Sequence, residues 1–259
     1  MRTITAASSA SSYRVRRYHV LRGNVETELS RERGFDVGCG CAYPPEVGQA
    51  TVDRSNAILR ALRRTARQCV PETVLAAAPM TMVANVGGVR VGIVHGDGEA
   101  LAGWRFSTAA LDDPGQHAWL DRVHMQSGID VFASSHTCLP ATRTFALPSG
   151  PLVVANNGSA GMPNFAGASY GIVTRIATRP RRGPILHCVE LNGVYIEAVA
   201  LHFDHAHWHQ EFLSQWPPGS AAWLSYWKRI VNGPDYVRAQ AYPRREWDCV
   251  QPLRSPEAR

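Results

Sequence analysis

Lysine is almost absent from this sequence: Lys228 is the only one, so nearly all of the 27 basic residues are arginine. Set against 21 acidic residues they leave a net charge of +6, which is compatible with an anionic substrate. The arginines are dispersed in small groups: Arg14, Arg16, Arg17 and Arg22; Arg60, Arg63, Arg64 and Arg67; Arg179, Arg181 and Arg182. No aromatic residues are interleaved with them as in a base-stacking platform, which argues against nucleic acid as a partner. No run of about 18 apolar residues exists, so no membrane-spanning helix is expected. Cysteines are few and irregular: Cys39, Cys41, Cys69, Cys138, Cys188 and Cys249. The Cys39-Gly40-Cys41 pair has no second pair to complete a zinc ribbon, and the spacing is not that of a secreted disulfide scaffold. The expectation is reduced, mostly buried thiols in a cytoplasmic protein. An acidic residue is missing from positions 1–18, a Ser-, Ala- and Arg-rich stretch that suits either a transit peptide or an untethered tail. It lacks an apolar h-region, so secretion by a signal peptide is not expected. No internal repeat is visible, and the first aspartate of the chain is Asp36.

What is present is sufficient for a packed protein. The 259 residues fit one large α/β domain or two small ones, and 45% hydrophobic composition supports a sizeable core. Residues 13–21 read as a strand running into a turn at Gly23. Residues 52–68 carry Ala57, Ile58, Ala61 and Leu62 at helical spacing, with arginines on the opposite face. A hairpin is expected from 80–86, the Gly87-Gly88 turn and 89–95. Residues 119–125 read as helix and 129–134 as a short buried strand. Strands follow at 142–147, 152–156, 169–177 and 194–203, and helices at 207–215 and 220–231. Alternation early and strands later indicate a mixed α/β sandwich.

Three polar clusters follow predicted strands: Gly23-Asn24-Val25-Glu26, His95-Gly96-Asp97 and Ser135-His136-Thr137-Cys138. Side chains at the carboxyl ends of strands converge without entering the core, and amide oxygen and imidazole nitrogen suit divalent first-row metals. In order and spacing these clusters resemble the calcineurin-like metallophosphoesterases, whose pattern runs D-x-H, GDxxD, GNH[DE], a lone His often followed by Gly, then GHxH. The third element matches Gly23 to Glu26, the fourth Val91 to Asp97, and the fifth Val131 to Cys138. Asn157-Gly158-Ser159, with Pro163 shortly after, resembles the NPGSxxxPR segment of the small bacterial phosphodiesterases of that family. The stretch 169–177 resembles their next strand. The likeness covers roughly residues 15–204.

The resemblance implies an αββα sandwich and hydrolysis of phosphate monoesters or diesters with divalent metal ions (Mn, Fe, Zn or Mg, two in the complete family fold). Carried over by position, Asn24, His95 and His136 would ligate the second metal, and Cys138 stands where the family has a His on the first. Asn157 and Gly158 would meet substrate. Val25 replaces the His that protonates the leaving group in many members. Because no aspartate precedes Gly23, the D-x-H and GDxxD elements have no counterpart ahead of it. The fold is therefore expected to be N-terminally incomplete, with a central strand absent, an apolar face exposed and little activity from the chain alone. The alternative is a non-catalytic remnant serving as a binding or interaction module. The expected division is a tail at 1–12, the metallophosphoesterase-like domain at 13–204, a helical extension at 205–242 and a loose tail at 243–259.

Other patterns read more plainly. His205 and His209 would share a helix face, but the segment 202–209 is better explained as a helix start with Asp204 as N-cap. Gly167-Ala168-Ser169-Tyr170-Gly171 fits G-x-S-x-G, yet Ile172, Val173, Thr174 and Ile176 continue it as strand, not as the helix a serine nucleophile requires. Trp208, Trp216, Trp223, Tyr226 and Trp227 are expected to pack the C-terminal helices. The loop containing Cys39 and Cys41 carries no assigned role.

Overall fold

The computed structural model describes residues 18–31, 38–243 and 248–249. Strands β1 (Thr81–Val86) and β2 (Val89–Val94) form the expected hairpin. Gly87 and Gly88 both have positive φ, 59° and 92°, the two-residue turn whose twist matches that of the flanking strands. Strands β3 (Val131–Ser134), β4 (Pro140–Leu147) and β5 (Gly150–Asn157) complete a five-stranded sheet ordered β1-β2-β3-β5-β4. Within it β2, β3 and β5 run parallel, while β1 and β4 pair antiparallel at the edges. A second sheet, β6 (Gly171–Ala177), β7 (His187–Leu191) and β8 (Val194–Leu201), is antiparallel and ordered β6-β8-β7.

Alternation along the parallel strands decides what packs where, because side chains on a strand point to opposite faces with a period of two. Val91, Val131, Val153 and Ala155 meet Val189, Leu191, Val194 and Ile196 of the second sheet. Their neighbours Phe132, Leu152 and Val154 point the other way, onto Trp119, Leu120 and Val123. Burial on both faces accounts for the near-continuous apolar character of these strands. The result is a mixed α/β sandwich with flanking helices, the class expected from the sequence.

The helices are α1 (Asn24–Leu29), α2 (Gln49–Cys69), α3 (Glu72–Ala77), α4 (Thr108–Leu111), α5 (His117–Ser127), α6 (His205–Gln215), α7 (Ala221–Asn232) and α8 (Arg238–Ala241). Trp119, Leu120 and Val123 are the face of α5 that covers the large sheet. α2 packs through Ile58 and Leu62 against Phe212, Ala222 and Ile230. The C-terminal tryptophans and Tyr226 surround that contact, so they serve as packing. Asp204 caps α6 by accepting a hydrogen bond from His207 N at 3.0 Å, as the sequence suggested. Ser169 precedes strand β6, not a helix, and no nucleophile elbow forms.

Several expectations are corrected. The strand at 13–21 lies partly outside the described residues, and its described part, from Tyr18 on, is not strand. Asn24 instead opens helix α1, because Glu26 reaches back to accept from Gly23 N at 2.8 Å and closes the first turn. Strand β7 had no reading in the sequence. The described large sheet has no empty interior place, since β2, β3 and β5 are each paired on both sides. Cysteine chemistry also differs from expectation: Cys39 is bonded to Cys41 and Cys188 to Cys249, leaving Cys69 and Cys138 free. The second pair forms because residues 248–249 run beside β7, with Cys249 N donating to Cys188 O. No spacing rule in the sequence anticipates that approach. Among the described residues no helix is long and apolar enough to cross a membrane.

One buried charge ties the second sheet together. Glu197 on β8 is fully buried and accepts from Arg175 of β6 and from Arg181 N at 2.7 Å. Arg175→Ala would strand the carboxylate without its cation and is expected to cost roughly 3 kcal/mol. The double change Arg175→Ala/Glu197→Gln should recover part of that loss in urea unfolding. A double variant as unstable as Arg175→Ala would contradict this account.

Candidate functional site

Parallel pairing brings the carboxyl ends of β2, β3 and β5 to one edge of the sheet. His95 follows β2 and His136 follows β3, and their loops are joined through the backbone. His95 O accepts from His136 N at 2.9 Å and from Ser135 N at 3.2 Å. Ser134 Oγ donates to His95 O and to Gly96 O at 3.1 and 2.6 Å. Asn24, the first residue of α1, enters from the helical side. Gly23 allows this approach: a Cβ there would stand 2.9 Å from the His95 ring.

The three side chains meet at one point. His95 Nε2 is 2.7 Å from Asn24 Oδ1 and 2.9 Å from His136 Nδ1. All three residues are buried. Two backbone carbonyls fix their polarity. Asn24 Nδ2 donates to Cys39 O at 2.8 Å, so Oδ1 is the end turned toward His95. His136 Nε2 faces Cys41 O at 3.1 Å; a carbonyl only accepts, so the proton of neutral His136 is on Nε2 and Nδ1 carries a lone pair. His95 Nε2 thus stands within hydrogen-bond distance of two acceptors, Asn24 Oδ1 and His136 Nδ1, and its own proton is the only one the three atoms have to share. Such a cluster is electron-rich and suits a cation.

Charge state agrees with that geometry. Burial, reinforced by neighbouring His136, lowers the His95 pKa to about 3. Burial also lowers that of His136, against the opposing influence of Cys41 O and Asp97. Both rings are neutral near pH 7, the form in which imidazole binds a metal. Trp104 closes one side, its indole N–H donating to Cys41 O at 3.0 Å and its ring edge-on to His136 at 5.3 Å. Tyr43 lies against Trp104.

The remaining site candidates lie apart from this point. Cys138 adopts φ of 62° and directs its thiol to His136 O at 3.4 Å, and the residue is exposed. Asn157 Nδ2 donates to Ile172 O at 2.9 Å, and Gly158 N donates to Asn156 Oδ1 at 2.9 Å. Gly158 has φ of 65° and packs so closely that a Cβ would lie 2.7 Å from Pro140 N. Both residues are engaged in holding their turn. Asp97 accepts from Glu99 N, Ala100 N and Arg105 N at 3.0, 2.9 and 3.3 Å, which shapes the loop after His95. Among the described residues no group of three or more His, Cys, Asp or Glu side chains could hold a metal ion; the Asn24 amide is what completes the trio.

Sequence reasoning missed Cys39, Cys41 and Trp104. The signal available was the unexplained Gly- and Cys-containing loop at 34–45, but its partners are backbone carbonyls, which no residue pattern encodes.

No family model matches this chain, and no curated protein is detectably similar to it. A hypothetical protein of Pyrococcus horikoshii OT3 shares its fold, with a TM-score of 0.54 at 13% identity over 88% of this chain and 77% of that one. A metallophosphoesterase of Sphaerobacter thermophilus aligns with a TM-score of 0.40 at 14% identity, over 83% of this chain and 76% of that one. That second likeness is too slight to bear on the site. The likeness to the first extends to the fold alone.

Gly23→Ala is expected to force the His95 ring out of its place, at an overpacking cost of about 1–3 kcal/mol. Urea unfolding reads the loss, and an unchanged midpoint would show that the ring has room to yield.

Proposed function

We propose that this chain is a metal-dependent phosphoesterase-type hydrolase in which Asn24 Oδ1, His95 Nε2 and His136 Nδ1 hold one divalent first-row cation. The observation that carries the reading is the convergence of those three acceptors, with the amide end and the tautomer set by Cys39 O and Cys41 O. Neutral nitrogen and amide oxygen donors suit Mn, Fe, Zn or Co, and a second donor shell of fixed carbonyls is what metal-ligating imidazoles require. The order of the motifs around Asn24, His95 and His136 supports phosphate esters as the substrate class, by resemblance to the calcineurin-like metallophosphoesterases. When bound, such a cation supplies Lewis-acid polarisation of a phosphoryl oxygen and a lowered pKa for an attacking water. The protein's own share is to present three lone pairs, to keep both imidazoles neutral and to exclude bulk water with Trp104. The Asn157-Gly158 turn would serve substrate by shaping the loop beyond β5, since the Asn157 amide is held by Ile172 O.

A second reading, a non-catalytic module that binds a single cation, is favoured by one observation. The carboxylate of the His95 loop, Asp97, is occupied by three backbone N–H groups, and the convergence itself contains no carboxylate.

Calorimetric titration of the purified chain with Mn(II) or Co(II) is expected to show one equivalent bound. His95→Ala and His136→Ala should each abolish that binding while leaving a cooperative thermal transition. Turnover of an aryl phosphate ester that depends on the metal and disappears in His136→Ala supports the hydrolase; stoichiometric binding without turnover supports the binding module. A chain that takes up no divalent cation would exclude both.

A further inference from the structure

The Cys39-Gly40-Cys41 segment touches two of the three converging side chains without being one of them. Its two carbonyls do the orienting work: Cys39 O holds the Asn24 amide at 2.8 Å, and Cys41 O holds His136 Nε2 at 3.1 Å. Cys41 O also accepts the Trp104 indole N–H at 3.0 Å. The same segment is anchored from behind, with Cys39 N donating to Asn56 Oδ1 of α2 at 2.8 Å. Gly40 turns the chain between the carbonyls with φ of 65°, against the side chain of Glu28. The two cysteines are joined to each other, which closes a small ring across the carbonyls that face the site. Cys41 Sγ itself lies 3.4 Å from Asn24 Nδ2.

We propose that the Cys39–Cys41 disulfide is a thiol-responsive positioning element of the metal site, holding Asn24 and His136 in their ligating orientation when closed and releasing them when reduced. The inference rests on the metal-site reading above. A ring closed by a disulfide leaves the loop few conformations, so both carbonyls stay aimed and both ligands are pre-oriented. Reduction consumes two equivalents of a small-molecule thiol: the Cys39–Cys41 sulfur–sulfur bond breaks, each sulfur gains a proton, and the reductant departs as its own disulfide. The freed loop then has more states to populate, and the fraction with both carbonyls in place falls. Outer partners of metal-ligating groups are worth about 10–100-fold in metal affinity, so the open form should bind metal weaker by about that factor. Asn24 and His136 would be affected together, because one segment orients both.

The test uses the full chain with Co(II) as probe, in its oxidised form and after reduction with a phosphine that does not bind the metal. Oxidised protein is expected to bind Co(II) about 10-fold or more tighter than reduced protein. Reduction also opens Cys188–Cys249, so Cys39→Ser and Cys41→Ser are compared as well: each should bind like the reduced form whether oxidised or not. Nitrogen-15 shifts of His136 provide a readout that a purely structural role would not move. The ring should be held as the Nε2–H tautomer in the closed form and show mixed tautomers in the open one. Equal affinity in both redox states overturns the inference and leaves the metal site standing. Tighter binding on reduction, with a thiolate-to-cobalt charge-transfer band lost in Cys41→Ser, would also overturn it, by making Cys41 a ligand. Absence of Co(II) binding in either state removes the metal site and this inference with it.

Discussion

The carbonyl oxygen of His95 accepts two backbone N–H groups from the loop after β3, and the arrangement of the site depends on that junction. Ser135 and His136 donate to it from one loop, and the Ser134 hydroxyl adds a third bond. Two parallel neighbours leave the sheet side by side, and their loops would otherwise be free to diverge. The shared oxygen prevents this and fixes the His95 and His136 rings in contact. Asn156, at the end of the next parallel strand, ties the same loop from the other side by donating to Thr137 Oγ1 at 2.7 Å.

Burial gives the junction its chemistry. An imidazole or amide enclosed without a partner loses its hydration with nothing in return, about 1–3 kcal/mol for each group. Here the donors are satisfied by backbone carbonyls, so the acceptors are the groups turned inward. A buried cluster of acceptors is a poor arrangement for a purely structural core and a suitable one for a cation. The same low-dielectric surroundings hold both rings neutral near neutral pH.

The helical layer is coupled to the site as well as to the core. Arg229 on α7 reaches Cys138 O at 2.7 Å, Pro163 O at 3.1 Å and Asn164 Oδ1 at 3.2 Å. One side chain thereby braces the loop that carries His136 and the loop that follows Gly158. α2 supports the opposite wall through Asn56, which holds Cys39 N. The packing of α2 on α7, with the crowded tryptophans around it, thus connects both walls.

The sequence by itself determined the hairpin at Gly87-Gly88, the amphipathic α2, the short buried strand β3 and the capped start of α6 at Asp204. Each is local: a period of two or 3.6, a pair of residues suited to positive φ, or an Asp placed to cap. His95, His136 and Asn24 were legible as candidates because each stands in a short polar run beside apolar segments. The tertiary structure decided the rest. β7 is short, and only its partner β8 gives it strand geometry. Asn24 begins a helix because Glu26 closes a capping turn, where alternating residues ahead of it suggested a strand. Cys188 meets Cys249 across 61 residues, and the Cys39 and Cys41 carbonyls meet side chains from three separate elements. These are contacts of the backbone and of distant segments, and a residue's identity carries no record of which carbonyl it will face once the chain has folded.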